Sequence, residues 1–340
     1  MKFFLRFSIV VNIALPLAAN ELYHSVRVWS TDQATLTALH NEGIPLDHVR
    51  IKAGVYIDVL ASEEQTARLS EIGIPYDILI TDMTQYFLDR NVPDITRDFE
   101  LGSMLGNYTF SELVDKMDTL ATLYPSIVSV KDSIGTTIEG RTIWAFKVSD
   151  NPDVNELEPE ILYTGVTHAR EPLSMMNQFY FVQWLCENYS SDPVAQYLVD
   201  ERALWFIPVI NPDGYVYNET IAPNGGGMHR KNRRDTDCGN GTQRGVDLNR
   251  NYGYEWGADN SGSSPNPCSS TFRGDSAFSE PETQAVRDFI LEHDFANVLH
   301  YHSYSNVLIH SWGDGTLPDE PDLTTVREIG WEMTKYNGYQ

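Results

Sequence analysis

Residues of the types that bind transition metals occur at two places in this chain. His168 and Glu171 are three positions apart and follow an apolar run, Ile161–Val166, that is typical of a buried strand. Near the C-terminus, His300 and His302 are two apart, so in a strand they point to the same face and either could supply a third ligand. Two imidazoles and one carboxylate leave the open position that a catalytic zinc ion needs. The sequence therefore predicts a metal site.

A cationic segment lies between the two candidate ligand sites. The run His229–Arg234 is the most basic in an acidic chain, and Gly245–Asn251 follows it. An arginine next to an asparagine, as in Asn249-Arg250, suits a carboxylate, because the guanidinium offers a bidentate fork and the amide adds a donor. Two alternatives remain open at this point. The basic run could be a solvated loop or a processing site, and Asn249-Arg250 could be a structural turn.

Alternating helices and strands must position these side chains from Asn107 onward. Hydrophobic periodicity predicts helices at Thr109–Leu123, Ser174–Tyr189, Glu280–His293 and Asp322–Tyr336. It predicts strands at Ile127–Ile134, Thr142–Val148, Ile161–Val166, Ala203–Ile210, Asn297–His302 and Asn306–His310, with a long Gly/Asn-rich loop ending near Pro267. This order predicts a three-layer α/β/α fold around a mixed, mostly parallel sheet. Both ligand sites follow strands, at the edge where such sheets place ligands.

Residues 23–82 have a different, α+β pattern and are predicted to form a small unit of their own. The expected strands are Tyr23–Ser30, Val55–Leu60 and Tyr76–Ile80, and the expected helices are Thr31–Asn41 and Glu63–Ile72. A polar stretch, Thr81–Gly106, then contains Arg90 and Arg97. We interpret it as a linker with basic sites that a protease can cut.

The first residues have the pattern of a secretory signal peptide. Lys2 and Arg6 provide positive charge, Phe7–Leu17 is mostly apolar, and Ala18 and Ala19 are small residues suited to cleavage. The apolar run is too short to cross a bilayer. We therefore expect residues 1–19 to be removed and the protein to be secreted and extracellular.

The three cysteines fit an oxidising compartment. Cys238 and Cys268 lie in stretches where loops are expected, so we predict a disulfide between them. Cys186 lies in an apolar helical pattern and is predicted to be a buried free thiol.

The charge of the chain excludes some partners. A formal net charge of −24 disfavours nucleic acids and anionic membranes, because both need clustered Lys and Arg. No segment after the signal peptide is apolar and long enough to cross a membrane. We expect a monomer.

Taken together, the motifs resemble the zinc metallocarboxypeptidases of the pancreatic carboxypeptidase A/B type, from about residue 23 to the end of the chain. The matching segments follow the order of that family. They are T-H-A-R-E (167–171), N-P-D-G-Y (211–215), H-R-K-N-R (229–233), G-V-D-L-N-R-N-Y (245–252), F-R-G-D-S-A-F-S-E-P-E-T (272–283) and H-S-Y-S (302–305).

This resemblance implies a function and a role for each site residue. It implies a precursor that hydrolyses the C-terminal peptide bond of peptides and proteins, with residues 20–97 as activation propeptide and linker and residues 98–340 as the catalytic domain. A trypsin-like protease would cut after Arg97. One zinc ion per chain would be bound by His168, Glu171 and His302. Arg230 would stabilise the oxyanion, Asn249 and Arg250 would hold the terminal carboxylate, and Arg170, Ser303 and Tyr304 would line neighbouring subsites.

The chain departs from the family at its C-terminal end. The family's general base is a glutamate on an internal strand beyond the His-Ser-Tyr element, and no counterpart precedes Gln340. We therefore expect an incomplete catalytic domain whose last strands are missing. The alternatives are an inactive relative that binds zinc or peptides, and a zinc deacylase of small N-acyl amino acids. The activation-domain pattern and the Arg230, Asn249 and Arg250 set disfavour the deacylase.

Overall fold

The structure is a computed structural model, and it describes residues 21–47, 49–90, 99–239, 241, 243–304, 306–313, 316–337 and 339. The predicted signal peptide, residues 1–19, and the predicted cleavage site at Arg97 lie outside these described residues. Among the described helices we find none with the length and apolar character of a membrane-spanning segment.

The N-terminal unit is an antiparallel sheet with two helices, as its α+β pattern predicts. Its strands are β1 (Tyr23–Val28), β2 (Arg50–Lys52), β3 (Tyr56–Ser62) and β4 (Tyr76–Ile80), in the order β2-β3-β1-β4. Its helices are α1 (Gln33–Asn41) and α2 (Glu63–Glu71). Asp32 and Ser62 cap the two helices by accepting backbone N–H bonds, which otherwise have no partner in the first turn. Apolar side chains of both strands and helices, such as Val26 and Leu39, form its buried core.

A third helix follows this unit where the sequence predicts a linker. Helix α3 (Met83–Arg90) occupies the beginning of the polar stretch Thr81–Gly106. The Thr84 hydroxyl donates to the Gly226 carbonyl across 2.9 Å, which joins α3 to the C-terminal unit. The sequence did not predict this helix, because its pattern is polar and weakly periodic. The interpretation of the whole stretch as a linker stays a prediction.

The C-terminal unit contains the remaining elements. Its helices are α4 (Phe110–Leu123), α5 (Leu173–Asn188), α6 (Pro193–Asp200), α7 (Pro212–Ile221), α8 (Pro281–Leu291) and α9 (Asp322–Thr334). Its strands are β5 (Asp132–Thr136), β6 (Thr142–Val148), β7 (Glu160–Thr164), β8 (Ala203–Ile207) and β9 (Phe295–His300). A short 3₁₀ helix spans Leu248–Arg250.

The five strands form one mixed sheet with helices on both faces. Their order is β5-β6-β8-β7-β9, in which β7 pairs in parallel with β8 and β9, while β6 pairs antiparallel with β5 and β8. On one face Phe146 and Phe206 join the cluster of α4 and α5, and on the other Ile143 and Leu162 join Val286 of α8. Because side chains alternate along a strand, the two clusters lie on opposite faces. The predicted α/β/α layering is confirmed.

Three local predictions differ from the structure. Helices α6 and α7 were not predicted, and α7 lies in what the sequence suggests is loop. Its N-terminus carries a signal, since Asn211 accepts from Gly214 N across 3.0 Å and Pro212 begins the helix. Residues 306–310, predicted as a strand, contain none. Strand β5 also begins later than predicted, at Asp132, because Ile127 and Val128 are buried at the end of the α4 connection.

Both cysteine predictions are confirmed. Cys238 and Cys268 form a disulfide, 30 residues apart in sequence, and Cys186 is a buried free thiol. The Lys231 ammonium group donates to the carbonyls of Pro267 and Ser269 on either side of Cys268. Hydrogen bonds from the buried Lys231 therefore stabilise the disulfide loop in addition to the covalent bond.

We predict that the double variant Cys238→Ser/Cys268→Ser loses about 3–4 kcal/mol of unfolding free energy, because a loop of this length gains conformational entropy once it is open in the unfolded chain. Urea unfolding followed by tryptophan fluorescence measures the loss. Reduction of the unmodified protein should give a similar loss. Equal unfolding midpoints with and without the disulfide would contradict the prediction.

Candidate metal centre

Two neighbouring parallel strands bring the candidate ligands to one edge of the sheet. His168 and Glu171 lie in the turn between β7 and α5, and His302 lies two residues beyond β9. Strands β7 and β9 pair in register, with Thr164 opposite His300. Their carboxyl ends therefore finish side by side, although His302 is more than a hundred residues from His168 and Glu171 in sequence.

The three side chains converge around the Glu171 carboxylate. His168 Nδ1 lies 2.8 Å from Glu171 Oε1, and His302 Nδ1 lies 2.9 Å from Oε2. One potential ligand atom from each residue lies within 4.8 Å of the others. Burial alone would raise the pKa of Glu171, but His168 and His302 hold it well below its usual value. The carboxylate is thus ionised and faces two imidazole nitrogens.

This donor set fits a divalent zinc ion. Two imidazoles and one carboxylate are a common set for a catalytic zinc site, which keeps a further position open. His168 is fully buried, Glu171 nearly so, and His302 is half-buried, so the set opens on one side only. His300, the other candidate, bonds instead to the Thr164 hydroxyl across 2.7 Å. The structure therefore groups His302, and not His300, with the other two.

A buried carboxylate that the sequence did not suggest supports His168 from behind. Asp247 Oδ1 lies 3.3 Å from His168 Nε2, on the side of the ring opposite Glu171. Burial would raise the pKa of Asp247, but the Arg230 guanidinium and His168 hold it well below its usual value. A carboxylate on the far nitrogen of a ligating imidazole fixes the ring and its tautomer. The signal was present in G-V-D-L-N-R-N, directly before Asn249 and Arg250.

Arg230 joins the ligand site to the N-terminal unit. Its guanidinium is almost fully buried and donates to Asp247 Oδ2 from Nε and Nη2, at 3.1 and 2.8 Å. The same Nη2 donates to Asp47 Oδ2 across 2.6 Å. Burial would lower the pKa of Arg230, but Asp247, Asp47 and Glu171 raise it further above its ordinary value. The cation stays charged and lies between two carboxylates.

Asn249 and Arg250, the predicted carboxylate clamp, lie beside a carboxylate that belongs to the chain itself. Arg250 Nη2 donates to Asp47 Oδ2 across 3.2 Å, and Arg250 Nε donates to the Gly262 carbonyl across 2.7 Å. Asp47 belongs to the loop between α1 and β2, so one side chain of the N-terminal unit contacts both arginines. Asn249 lies in the adjacent 3₁₀ turn, where its backbone N–H donates to Asp247 Oδ1 across 3.1 Å.

The remaining predicted residues line a cavity beside the metal ligands. Arg170, Ser303 and Tyr304 face a space of about 390 Å³ that also touches Glu171. Ser303 N donates to Glu171 Oε2 across 3.2 Å. Pro45, Asp47 and Leu60 of the N-terminal unit and Phe87 of α3 complete the wall. Of the predicted site residues, Arg170, Glu171, Ser303 and Tyr304 line this cavity. Asp47, which also lines it, accepts from Arg230 and Arg250.

The basic run is not a solvated loop, since His229–Arg233 are buried and Arg234 is half-buried. Arg230 and Lys231 are at most 3% exposed. Burial lowers the pKa of Lys231 to about 7 while its ammonium group bonds to two carbonyls. The Arg233 guanidinium lies 3.7 Å from the centre of the Tyr217 ring, and Arg234 donates to Glu280 across 2.9 Å. The solvated-loop reading fails because partners distant in sequence surround each side chain.

Comparison with known proteins gives the family. A sequence profile described as "Zinc carboxypeptidase" (Peptidase_M14) matches residues 113–339. A "Zinc carboxypeptidase" from Saccharothrix mutabilis subsp. capreolus is 40% identical over 162 residues, which cover 48% of this chain and 36% of that protein. "Inactive metallocarboxypeptidase ecm14" from Talaromyces marneffei is 33% identical over 238 residues, covering 66% and 38%. "Carboxypeptidase A1" from Mus musculus is 30% identical over 325 residues, covering 89% and 74%.

A solved structure agrees with this result. The crystal structure of carboxypeptidase A from Helicoverpa armigera superposes with a TM-score of 0.76 at 25% identity, covering 93% of this chain and 78% of that one. The matched part of this chain spans less than two thirds of the first two relatives above, and about three quarters of carboxypeptidase A1. Since the profile matches more than half of the sequence and the fold agrees, this chain belongs to the zinc carboxypeptidase family.

Proposed function

We propose that this protein is the precursor of a secreted metallocarboxypeptidase that removes C-terminal residues from peptides and proteins after its N-terminal unit is cut away. The observation that carries the proposal is the Asp47 carboxylate, which Arg230 and Arg250 bind beside a His168, Glu171 and His302 set. A carboxylate site next to a metal site is what an enzyme needs to recognise a chain end.

His168, Glu171 and His302 would hold the zinc ion. When bound, zinc supplies a Lewis acid for the scissile carbonyl and lowers the pKa of a coordinated water towards about 7. Asp247 keeps the His168 ring oriented through Nε2. Glu171 stays ionised because both imidazoles face it.

Arg230, Arg250 and Arg170 have different roles in this proposal. Arg230 lies between the metal ligands and the clamp and is permanently charged, so it stabilises negative charge that develops on the carbonyl oxygen. Arg250 and Asn249 bind the terminal carboxylate, which only a chain end offers. Arg170, Ser303 and Tyr304 line the adjoining cavity. There they bind the substrate residues that precede the bond that is cut.

The N-terminal unit acts as an inhibitor in this proposal. Residues 20–97 form the activation segment, residues 98–340 form the catalytic domain, and a trypsin-like protease cuts near Arg97. Asp47 occupies the position of the substrate carboxylate while the unit is attached. The signal-like residues 1–19 support secretion. We propose a monomer that binds no nucleic acid and no membrane, as the charge of −24 suggests.

A second candidate is an inactive relative that binds zinc or peptides without hydrolysis. One relative is named an inactive metallocarboxypeptidase, and it is 33% identical to this chain over 238 residues. Zinc binding without peptide hydrolysis is the result that would favour this second candidate.

The proposed function predicts activity only after proteolysis and only on free chain ends. We expect the trypsin-treated protein with zinc to release the last residue of a peptide with a free carboxylate. It should leave the C-terminally amidated peptide intact, because a neutral amide cannot replace the carboxylate at Arg250 and Asn249. Chromatographic detection of the released amino acid measures this. One equivalent of bound zinc with hydrolysis of neither peptide would favour the inactive relative.

The Asp247→Asn variant is expected to bind zinc about ten- to a hundredfold more weakly, because the neutral amide supports His168 less strongly than the carboxylate. Competition with a chromophoric chelator measures the affinity. Asp259→Asn, a change of the same kind at an exposed position, should bind zinc as the unmodified protein does. Equal affinities in all three proteins would show that Asp247 does not support the ligand.

The Asp47→Asn variant should raise the peptidase activity of the uncut protein roughly tenfold or more, because removing one partner of a buried charge pair weakens the contact by more than 1.4 kcal/mol. Initial rates on a free-carboxylate peptide, measured without trypsin, test this. Asp89→Asn, on the exposed side of α3, serves as the control. No difference between the two variants would show that Asp47 does not block the site.

A further inference from the structure

A buried asparagine beneath the site uses its side chain and its backbone to join its own segment to two others. Asn232 Oδ1 accepts from Val246 N and Arg234 N, at 2.8 and 3.2 Å. Its backbone N–H donates to the Val246 carbonyl across 3.0 Å. Its Nδ2 donates to Glu280 Oε2 and Glu282 Oε2, at 2.8 and 3.2 Å. Asn232 therefore links the basic run, the segment before Asp247 and the start of helix α8.

The contact between the two segments is close enough to require glycine at position 245. A Cβ atom there would lie 2.0 Å from the Asn232 carbonyl oxygen. Gly245 also has a φ of +104°, a backbone conformation that residues with a Cβ atom rarely adopt. Arg230 is two residues before Asn232, and Asp247 is two residues after Gly245. The Asn232–Val246 contact thus sets how Arg230 meets Asp247.

Three carboxylates surround this contact, and only two have a cation. Arg234 pairs with Glu280 across 2.9 Å, and Arg141 pairs with Asp213 across 2.8 Å. Glu282 is fully buried, and within the described part of the chain no cation contacts it. Its Oε1 has no hydrogen-bond partner there.

Burial raises the pKa of Glu282 to about 8. Its own backbone N–H, in the first turn of α8, and the Asn232 amide favour the ionised form, while Glu280 and Asp213 oppose it. Tyr252 also faces Glu282, and its pKa is raised by burial and by this carboxyl group. Among the residues that the structure describes, Glu282 is therefore the one acid of this group without a cation beside it. Burying its neutral carboxyl costs far less free energy than burying its carboxylate.

We propose that Glu282 is a positioning residue that works in its protonated form. While it is neutral, Asn232 holds the Arg230 segment against Asp247. When it ionises, its negative charge repels the Glu280 carboxylate, which accepts from the same Asn232 amide, and this repulsion loosens the contact. Glu282 touches no substrate or metal ligand and acts only through Asn232.

The direction of the pH effect follows from linkage. The native state keeps the Glu282 proton up to about pH 8, whereas the unfolded chain loses it near the ordinary value of 4.5. The native state therefore binds more protons in this interval, and its stability falls as pH rises through it. The contribution of the neutral carboxyl is fully present below the unfolded pKa and is lost above the folded one.

The test compares the full zinc-loaded chain with Glu282→Gln, a neutral side chain of the same shape. At about pH 5 the variant should unfold at the same temperature as the unmodified protein or slightly lower, and at about pH 9 roughly 5 °C higher. Glu292→Gln, an exposed change at the end of the same helix, should follow the unmodified protein at both pH values. A Glu282→Gln variant whose melting temperature stays at a constant offset from pH 5 to pH 9 would overturn the protonation claim.

A kinetic measurement tests the positioning role, and this part alone rests on the proposed function. After trypsin treatment, kcat of the unmodified enzyme should fall above about pH 8, while Glu282→Gln should retain kcat there at an unchanged KM. A pH-dependent melting difference with identical kcat profiles would overturn the positioning role. If the unmodified protein hydrolyses nothing, the proposed function fails, and the melting comparison still decides the protonation of Glu282.

Discussion

The buried Asp247 carboxylate is the interaction on which the site depends. Its two oxygens serve two functions, since Oδ1 faces the His168 imidazole and Oδ2 accepts from the Arg230 guanidinium. A carboxylate in such surroundings is stable only when its charge is compensated, and here one cation and one ring nitrogen compensate it. The orientation of His168, a candidate metal ligand, and the position of the Arg230 guanidinium are therefore not independent. Any movement of Asp247 would change both at once.

This dependence explains why so many polar side chains lie inside the C-terminal unit. Asp247 follows Val246, whose backbone N–H donates to the Asn232 side chain. Asn232 in turn donates to two carboxylates at the start of α8. Each cation of the basic run has its own partner, which is a carboxylate for Arg230 and Arg234, two carbonyls for Lys231 and the Tyr217 ring for Arg233. The charged groups of the cleft thus rest on a second layer of polar contacts, and not directly on the hydrophobic clusters that support the sheet.

Local patterns in the sequence predicted the layered fold and the limits of several strands. For the third ligand they left His300 and His302 as alternatives, and the family resemblance implied His302. Strand β6, Thr142–Val148, was predicted without error, since its residues alternate between two buried faces. The docking of α3 and the interior position of Arg230 and Lys231 could not be predicted. Their partners are Gly226, Asp47 and the carbonyl groups around Cys268, and no periodicity in one segment shows which distant segment will cover it.

The interior position of the basic run has a consequence for the selectivity of processing. Trypsin-like proteases cut after arginine or lysine where the backbone can leave the fold and extend through the protease's cleft. The densest series of such residues, His229–Arg234, is packed under the disulfide loop, with its carbonyls and side chains bonded to neighbouring segments. A protease able to release the N-terminal unit would therefore not reach the most basic local sequence in the chain. The same burial that holds Arg230 against Asp247 protects it from digestion.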